Sequence, residues 1–239
     1  MIALLSSVPL ESDLILSHMK KRRFFSIAGK PVYTGTLSGE KVLLMNTGIG
    51  KVNASHSASC IIEKFPVKKI INFGVGGAYP GSGLALCDLA VASKEIYGDE
   101  GVVDSGGWSS LKKIGIPLVR EGGKKYFNEY PVSLPPIQKK SGKVRDIASV
   151  KIRSGPFLTL STVTGTRRRA GVLEKRFRTI CENMEGAAIA QICTMYKIPM
   201  HEIRGISNIA GVRDRKKWDL EGSSENCQMA VMGLIGCAE

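Results

Sequence analysis

The chain has 239 residues, 43% of them hydrophobic, with 27 glycines, which suits a single α/β domain over residues 1–239 that buries roughly 70 to 75% of its unfolded surface. No apolar run approaches the ~18 residues of a membrane-spanning helix. The net charge of +13, from 34 basic and 21 acidic side chains, would suit nucleic acid, a membrane surface or a small anion, but its runs are dispersed (Lys20-Lys21-Arg22-Arg23, Lys68-Lys69, Lys112-Lys113, Lys124-Lys125, Arg167-Arg168-Arg169) and lack interleaved aromatics, so they read as solvated faces and neither nucleic acid nor membrane is expected as a partner.

Residues 2–8 read as a short apolar first strand, not a signal peptide, because no basic region precedes them; a cytoplasmic protein is expected. Leu10, Leu14, Ile15, His18 and Met19 then fall at helical spacing. Residues 41–45 form a second strand candidate that ends in Asn46-Thr47-Gly48-Ile49-Gly50, and a helix follows with Val52, Ala54, Ala58, Ile61 and Ile62 on its apolar face. A third strand, residues 69–73, leads to a turn, Gly74-Val75-Gly76-Gly77, and a fourth covers residues 86–93. From 101 to 145 the chain is punctuated by Gly106-Gly107, Gly122-Gly123, Pro131 and Pro135-Pro136. That stretch reads as turns and loops, a binding loop more than a linker, with a helix near residues 137–147. Regular structure returns as a strand at 151–163, a helix at 167–177, a short strand at 179–183, a helix at 184–195, a strand at 200–207 and a last helix at 224–237. Strand, glycine-rich turn and helix in alternation predict an α/β fold with its sites at the carboxyl ends of strands.

The glycines at 74, 76 and 77 let a backbone approach a ligand closely. They do not make a dinucleotide fingerprint, since Ala78-Tyr79-Pro80 leads into more glycines and a strand rather than into a helix. The six cysteines (60, 87, 181, 193, 227 and 237) contain no C-x-x-C pair, and His18, His56 and His201 are isolated, so reduced, mostly buried thiols and no metal are expected. Phe73 and Phe157 fit a core role better than base stacking.

Taken in order, "NTGIGKVNA" (46–54), "INFGVGGA" (71–78), "CENMEGAAIAQIC" (181–193) and "IRGISN" (203–208) resemble the purine nucleoside phosphorylase and nucleosidase superfamily, from the first strand to the last helix. Within it, "EIYGDEGV" (95–102) and "SNIAGVRDRKKW" (207–218) look most like the branch that hydrolyses futalosine. The resemblance implies a twisted, mixed central β-sheet flanked by helices, a homodimer or higher homo-oligomer, a small nucleoside as ligand, no cofactor, and cleavage of an N-glycosidic bond.

The same resemblance distributes roles. Glu185 matches a ribose-binding glutamate, although a carboxylate in a first helical turn is also what the helix dipole favours. Met184 would pack on the sugar. Glu11, with Asp13 as its nearby competitor, would activate the water. Arg204 would orient the water-side network, Gly76 would admit the ligand, and Ser207 would hold Asn208. Asn208 stands where adenine-specific nucleosidases carry an aspartate; its amide offers a donor for O6 and an acceptor for a protonated N7, which argues for a 6-oxopurine. Arg213, Arg215 and Trp218 would either receive a carboxylated 5′ substituent or brace the loop through Asp214. Tyr97, Asp99 and Glu100 are expected to line the site. Phosphorolysis is the near alternative, but the first-strand loop has no arginine to cradle phosphate; a methylthioadenosine-type nucleosidase and a non-catalytic nucleoside- or nucleic-acid-binding protein are the others.

Overall fold

The computed structural model of the protein describes residues 1–135 and 150–236. At its centre β1 (Ile2–Ser6) lies parallel to β4 (Glu40–Asn46) on one side and to β5 (Lys69–Ala78) on the other. Ala3 and Leu5 pack into one core cluster and Leu4 into the other. Burial on both faces is why this strand reads as an uninterrupted apolar run.

Two helices cover one face. In α2 (Lys51–Lys64) Ala54, Ala58 and Ile61 are buried, and they share a core cluster with Ala187, Ile189, Ala190 and Cys193 of α4 (Gly186–Tyr196). Val52, placed on the apolar face by its spacing, is instead 82% exposed. On the opposite face Cys227, Val231 and Ile235 of α5 (Leu220–Gly236) pack with Ile71, Phe73 and Ile203. Residues 10–19 form less helix than their spacing predicts: a 3-10 turn over Pro9–Glu11 and then a six-residue helix, α1 (Asp13–His18). Phe73 and Phe157 are fully buried in the core.

The sheet extends outward from β4 through two hairpins that the sequence did not announce, β2 (Lys20–Ile27) and β3 (Lys30–Leu37). Both connections are tight: Ala28 and Gly29 (φ 49° and 76°), then Ser38 and Gly39 (φ 50° and 87°), the paired positive dihedrals that match the twist of a hairpin. Lys20, Lys21, Arg22 and Arg23 are exposed, as a solvated run should be, but they lie on the edge strand β2.

On the other side of β5 the sheet curls. β13 (Cys181–Asn183) runs antiparallel to β5, β12 (Ile152–Thr159) pairs with β13, and β6 (Leu89–Tyr97) pairs with β12. β14 (Met200–Ile209) then pairs with both β5 and β6, so five strands of the ten-stranded sheet close on themselves. The expected turn at 74–77 is therefore wrong. Those glycines continue β5 alongside β14, with Gly77 also paired to β13, and what they provide is close approach.

The stretch read as turns and loops holds β7 (Gly101–Asp104) with β8 (Gly107–Ser110), β9 (Val119–Glu121) with β10 (Lys124–Tyr126), and β11 (Glu129–Pro131) on the edge of β6. The helix expected near 137–147 lies outside the described residues. Finally α3 (Arg167–Phe177) starts where the hydroxyl of Thr166 accepts a bond from the Arg169 N–H and ends at Arg178 in the left-handed region. No helix among the described residues is long and apolar enough to cross a membrane.

Candidate active site

A cavity of about 320 Å³ opens where β1, β5, β13 and β14 end, and nine of the residues singled out from sequence line it: Glu11, Gly76, Met184, Glu185, Arg204, Ser207, Asn208, Arg213 and Trp218. Its deep end is polar. Glu11 turns its carboxylate back onto the first-strand loop, where Oε2 accepts from the N–H of Ser7 (2.7 Å) and of Val8 (3.2 Å), while Oε1 accepts from the Val75 N–H (2.8 Å). Burial raises its pKa above the usual carboxylate range, and the Arg204 charge and the Val75 bond only partly oppose that. Glu11 reaches Val75 across Gly74, which holds φ at +150°, and a Cβ there would collide with the carboxylate. Asp13, the sequence-level competitor, is exposed on α1.

Arg204 is 1% exposed and ties the carboxylates together. Its Nε and Nη2 donate to Glu202 Oε1 (3.0 and 2.9 Å), Nη1 donates to the Val75 carbonyl (3.3 Å), and Nη2 stands 3.6 Å from Glu185 Oε2. Burial alone would lower its pKa, but Glu202, Glu185 and Glu11 together raise it, so it stays a cation. Residue 75 joins this network through its N–H and its carbonyl.

Glu185 follows the short β13 and precedes α4, and it is not spent on the helix. The Asn183 Oδ1 accepts from the N–H groups of Glu185 (2.9 Å) and Gly186 (2.7 Å), and the Thr159 hydroxyl accepts from Ala187 N–H (2.7 Å). The Glu185 carboxylate points away, with Oε1 accepting from the Gly50 N–H at 2.9 Å.

At the other end of the cavity β14 carries a bulge. Ile206 faces Gly76 and Asn208 faces Gly77, leaving Ser207 as the additional residue. A bulge re-aims side chains that would otherwise alternate between faces. Both Ser207 and Asn208 consequently line the cavity. The Ser207 hydroxyl donates to Asn208 Oδ1 (3.0 Å), so the amide turns its NH₂ toward the open space. Across Gly77 lies Glu182, a buried carboxylate that also lines the cavity and that sequence reasoning passed over. Leu160, Val163 and Ile49 supply apolar wall.

Arg213 and Trp218 also line the cavity. The Arg213 guanidinium lies 4.8 Å from the Trp218 ring centroid, and the indole N–H donates to the Val212 carbonyl (2.9 Å). Arg213 makes no ion pair among the described residues, and Asp214 accepts from Lys216 N–H instead of bracing either arginine. Arg215 is exposed and outside this cavity.

Three expectations fail. Tyr97, Asp99 and Glu100 do not line the cavity: Tyr97 donates to Gln191, while Asp99 and Glu100 hold Lys51 at 2.5 and 3.1 Å. They anchor the start of α2 next to Gly50, and so act on Glu185 at one remove. No group of three His, Cys, Asp or Glu among the described residues is placed to hold a metal.

The sequence matches the phosphorylase superfamily over residues 1–238. It is 33% identical to a futalosine hydrolase of Thermus thermophilus over 199 residues, 83% of each chain. It is 29% identical to a 5′-methylthioadenosine/S-adenosylhomocysteine nucleosidase of Halalkalibacterium halodurans, covering 98% of this chain and 97% of that one. Among solved structures, a putative nucleosidase of the latter type from Borrelia burgdorferi, bound to adenine, superposes with a TM-score of 0.78 at 28% identity over 98% of this chain and 99% of the other.

Proposed function

The chain belongs to the phosphorylase superfamily, and from that premise we propose that it is a nucleosidase that hydrolyses futalosine to hypoxanthine and dehypoxanthine futalosine, a step toward menaquinone. Water attacks the anomeric carbon as the bond to the purine nitrogen breaks, and the departing purine takes its proton by way of water, since the Asn208 amide is no acid. Glu11 takes the water's proton, Glu185 holds the ribose hydroxyls and opposes the positive charge that develops on the sugar, and Met184 packs on the ring.

The observation that carries hydrolysis over phosphorolysis is the fate of the loop donors. The N–H groups of Ser7, Val8 and Val75 that could receive a phosphate are all bonded to the Glu11 carboxylate. An anion there would face a carboxylate and lack donors, whereas water can give a proton to the one and accept from Arg204. Two features favour futalosine within the nucleosidases. Asn208 presents an amide NH₂, a donor suited to O6 of hypoxanthine. Arg213, with no carboxylate partner among the described residues, stands over an indole beside the cavity and suits a carboxylated aromatic substituent.

A second reading, a 5′-methylthioadenosine/S-adenosylhomocysteine nucleosidase, draws on the relatives of that kind, which the chain matches over nearly its full length. Incubation with futalosine, aminodeoxyfutalosine, inosine and methylthioadenosine, with and without phosphate, separates the readings. Hypoxanthine released from futalosine at a rate indifferent to phosphate is the expected result. Release only when phosphate is added, or release of adenine from methylthioadenosine in preference, would overturn it.

A further inference from the structure

Gly77 sits on β5 directly between Asn208 on β14 and Glu182 on β13. Neighbouring strands lie about 4.8 Å apart, so the outer two frame a slot roughly the width of a purine, and Gly77 leaves its floor bare. The side chains lean over that floor: a Cβ on Gly77 would lie 3.3 Å from Asn208 Nδ2 and 3.6 Å from Glu182 Oε1. A donor and an acceptor thus converge on one place from opposite sides.

Glu182 is held for this. Its Oε2 accepts from the Tyr79 hydroxyl (2.9 Å) and the Thr164 hydroxyl (2.5 Å), which fills both lone pairs of that oxygen. Among the described residues Oε1 accepts only from the Thr164 N–H (3.2 Å), which leaves one lone pair. The carboxylate is 6% exposed and lines the cavity. An acceptor this buried costs free energy when it goes unused.

We propose that Glu182 is a specificity residue that accepts the N1–H of a 6-oxopurine while Asn208 donates to O6. The inference rests on the 6-oxopurine nucleosidase reading and deepens it. A 6-oxopurine carries O6, an acceptor, next to N1–H, a donor. The Asn208–Glu182 pair presents the complement in the same order. Adenine reverses both: its 6-amino group would face the Asn208 NH₂, and its bare N1 would face a carboxylate. Rejection is then built from two opposed pairs, and Glu182 doubles what Asn208 does alone.

The test is a comparison of kcat/KM for futalosine, its 6-amino counterpart and its N1-methylated derivative, in the wild-type protein and in Glu182→Gln and Glu182→Ala. Wild type is expected to reject the 6-amino and N1-methyl substrates. Glu182→Gln keeps the volume and the Tyr79 and Thr164 partners, yet its amide can turn to either base. The preference for hypoxanthine over adenine should fall roughly tenfold or more in it, from the loss of one buried mismatch, and the N1-methyl penalty should shrink in Glu182→Ala. If Glu182 only braces Tyr79 and Thr164, all three substrates will slow by one factor and both ratios will stay put, which overturns the inference. Wild type that cleaves the N1-methyl substrate as fast as the parent also overturns it, while leaving futalosine hydrolysis standing. Wild type that releases no hypoxanthine at all defeats the reading beneath it.

Discussion

A carboxylate at the start of a helix has an ordinary use, to cap free N–H groups and to meet the positive end of the dipole. Glu185 is excused from that use because Asn183 and Thr159 take the first N–H groups of α4. What holds Glu185 is one backbone N–H from Gly50 and the Arg204 guanidinium, which leaves lone pairs for ribose hydroxyls. Glu185→Gln keeps the shape and removes the charge that opposes a cationic sugar. Turnover is expected to fall by about a hundredfold or more, within the range for losing a preorganised electrostatic contact, while circular dichroism and the unfolding temperature stay near those of wild type. Turnover within a few-fold of wild type would take Glu185 out of the chemistry.

Among the elements, β13 is only three residues long, yet each does something different: Cys181 is core, Glu182 lines the cavity opposite Asn208 and Asn183 caps α4. Asn183 also donates to the buried Glu95 (2.6 Å), which the Thr159 hydroxyl holds on its other oxygen (2.7 Å), so Asn183→Ala removes two cap bonds and one of the two bonds to that carboxyl. A loss of about 1 to 2 kcal/mol is expected, read as a drop of roughly 2 to 8 °C in unfolding temperature; an unchanged temperature would mean that water replaces the cap. The same strand marks what a sequence can carry. Its Asn-Met-Glu-Gly stretch placed Glu185, and the helix read at 167–177 has the bounds of α3, because both signals are local. Glu182 left no such signal, since its partners Tyr79 and Thr164 lie 103 and 18 residues away and only the closure of the strands gathers them. Gly74 to Gly77 read as a turn for a related reason. The residues that demand glycine there, Glu11 above Gly74 and the Glu182–Asn208 pair above Gly77, belong to a 3-10 turn and to two other strands. In β2 the exposed basic run hid an edge strand, since no buried face imposed alternation on it.

Across the whole molecule, acid groups outnumber the cation that serves them. Arg204 faces Glu11, Glu185 and Glu202, and behind Glu202 lies Glu95, with both carboxyls pressed against the same point above Gly186. Burial, and then the Glu202 charge, push the Glu95 pKa well above its usual value, and burial raises Glu202 and Glu182 as well. Glu202 Oε2 has no other partner among the described residues, so a proton on Glu95 gives it one. The sign of the linkage follows. A carboxyl whose folded pKa is raised holds its proton in the folded chain after the unfolded chain has released it, so its contribution is complete below the unfolded pKa and fades as pH climbs toward the folded one. The contribution of these carboxyls should therefore fall as pH rises from about 4.5, the reverse of an acid-labile ion pair. Glu95→Gln carries a permanent amide in place of the protonated acid and escapes that loss. Whatever its offset near pH 4.5, its stability relative to wild type should climb as pH rises through and above that value, by at most about 1.4 kcal/mol per pH unit for a single proton. Urea midpoints measured for both proteins at half-unit steps from pH 4.5 to 8 check this. A difference that stays flat, or falls, would mean that Glu95 is already ionised in the folded chain and that the buried pair shares no proton.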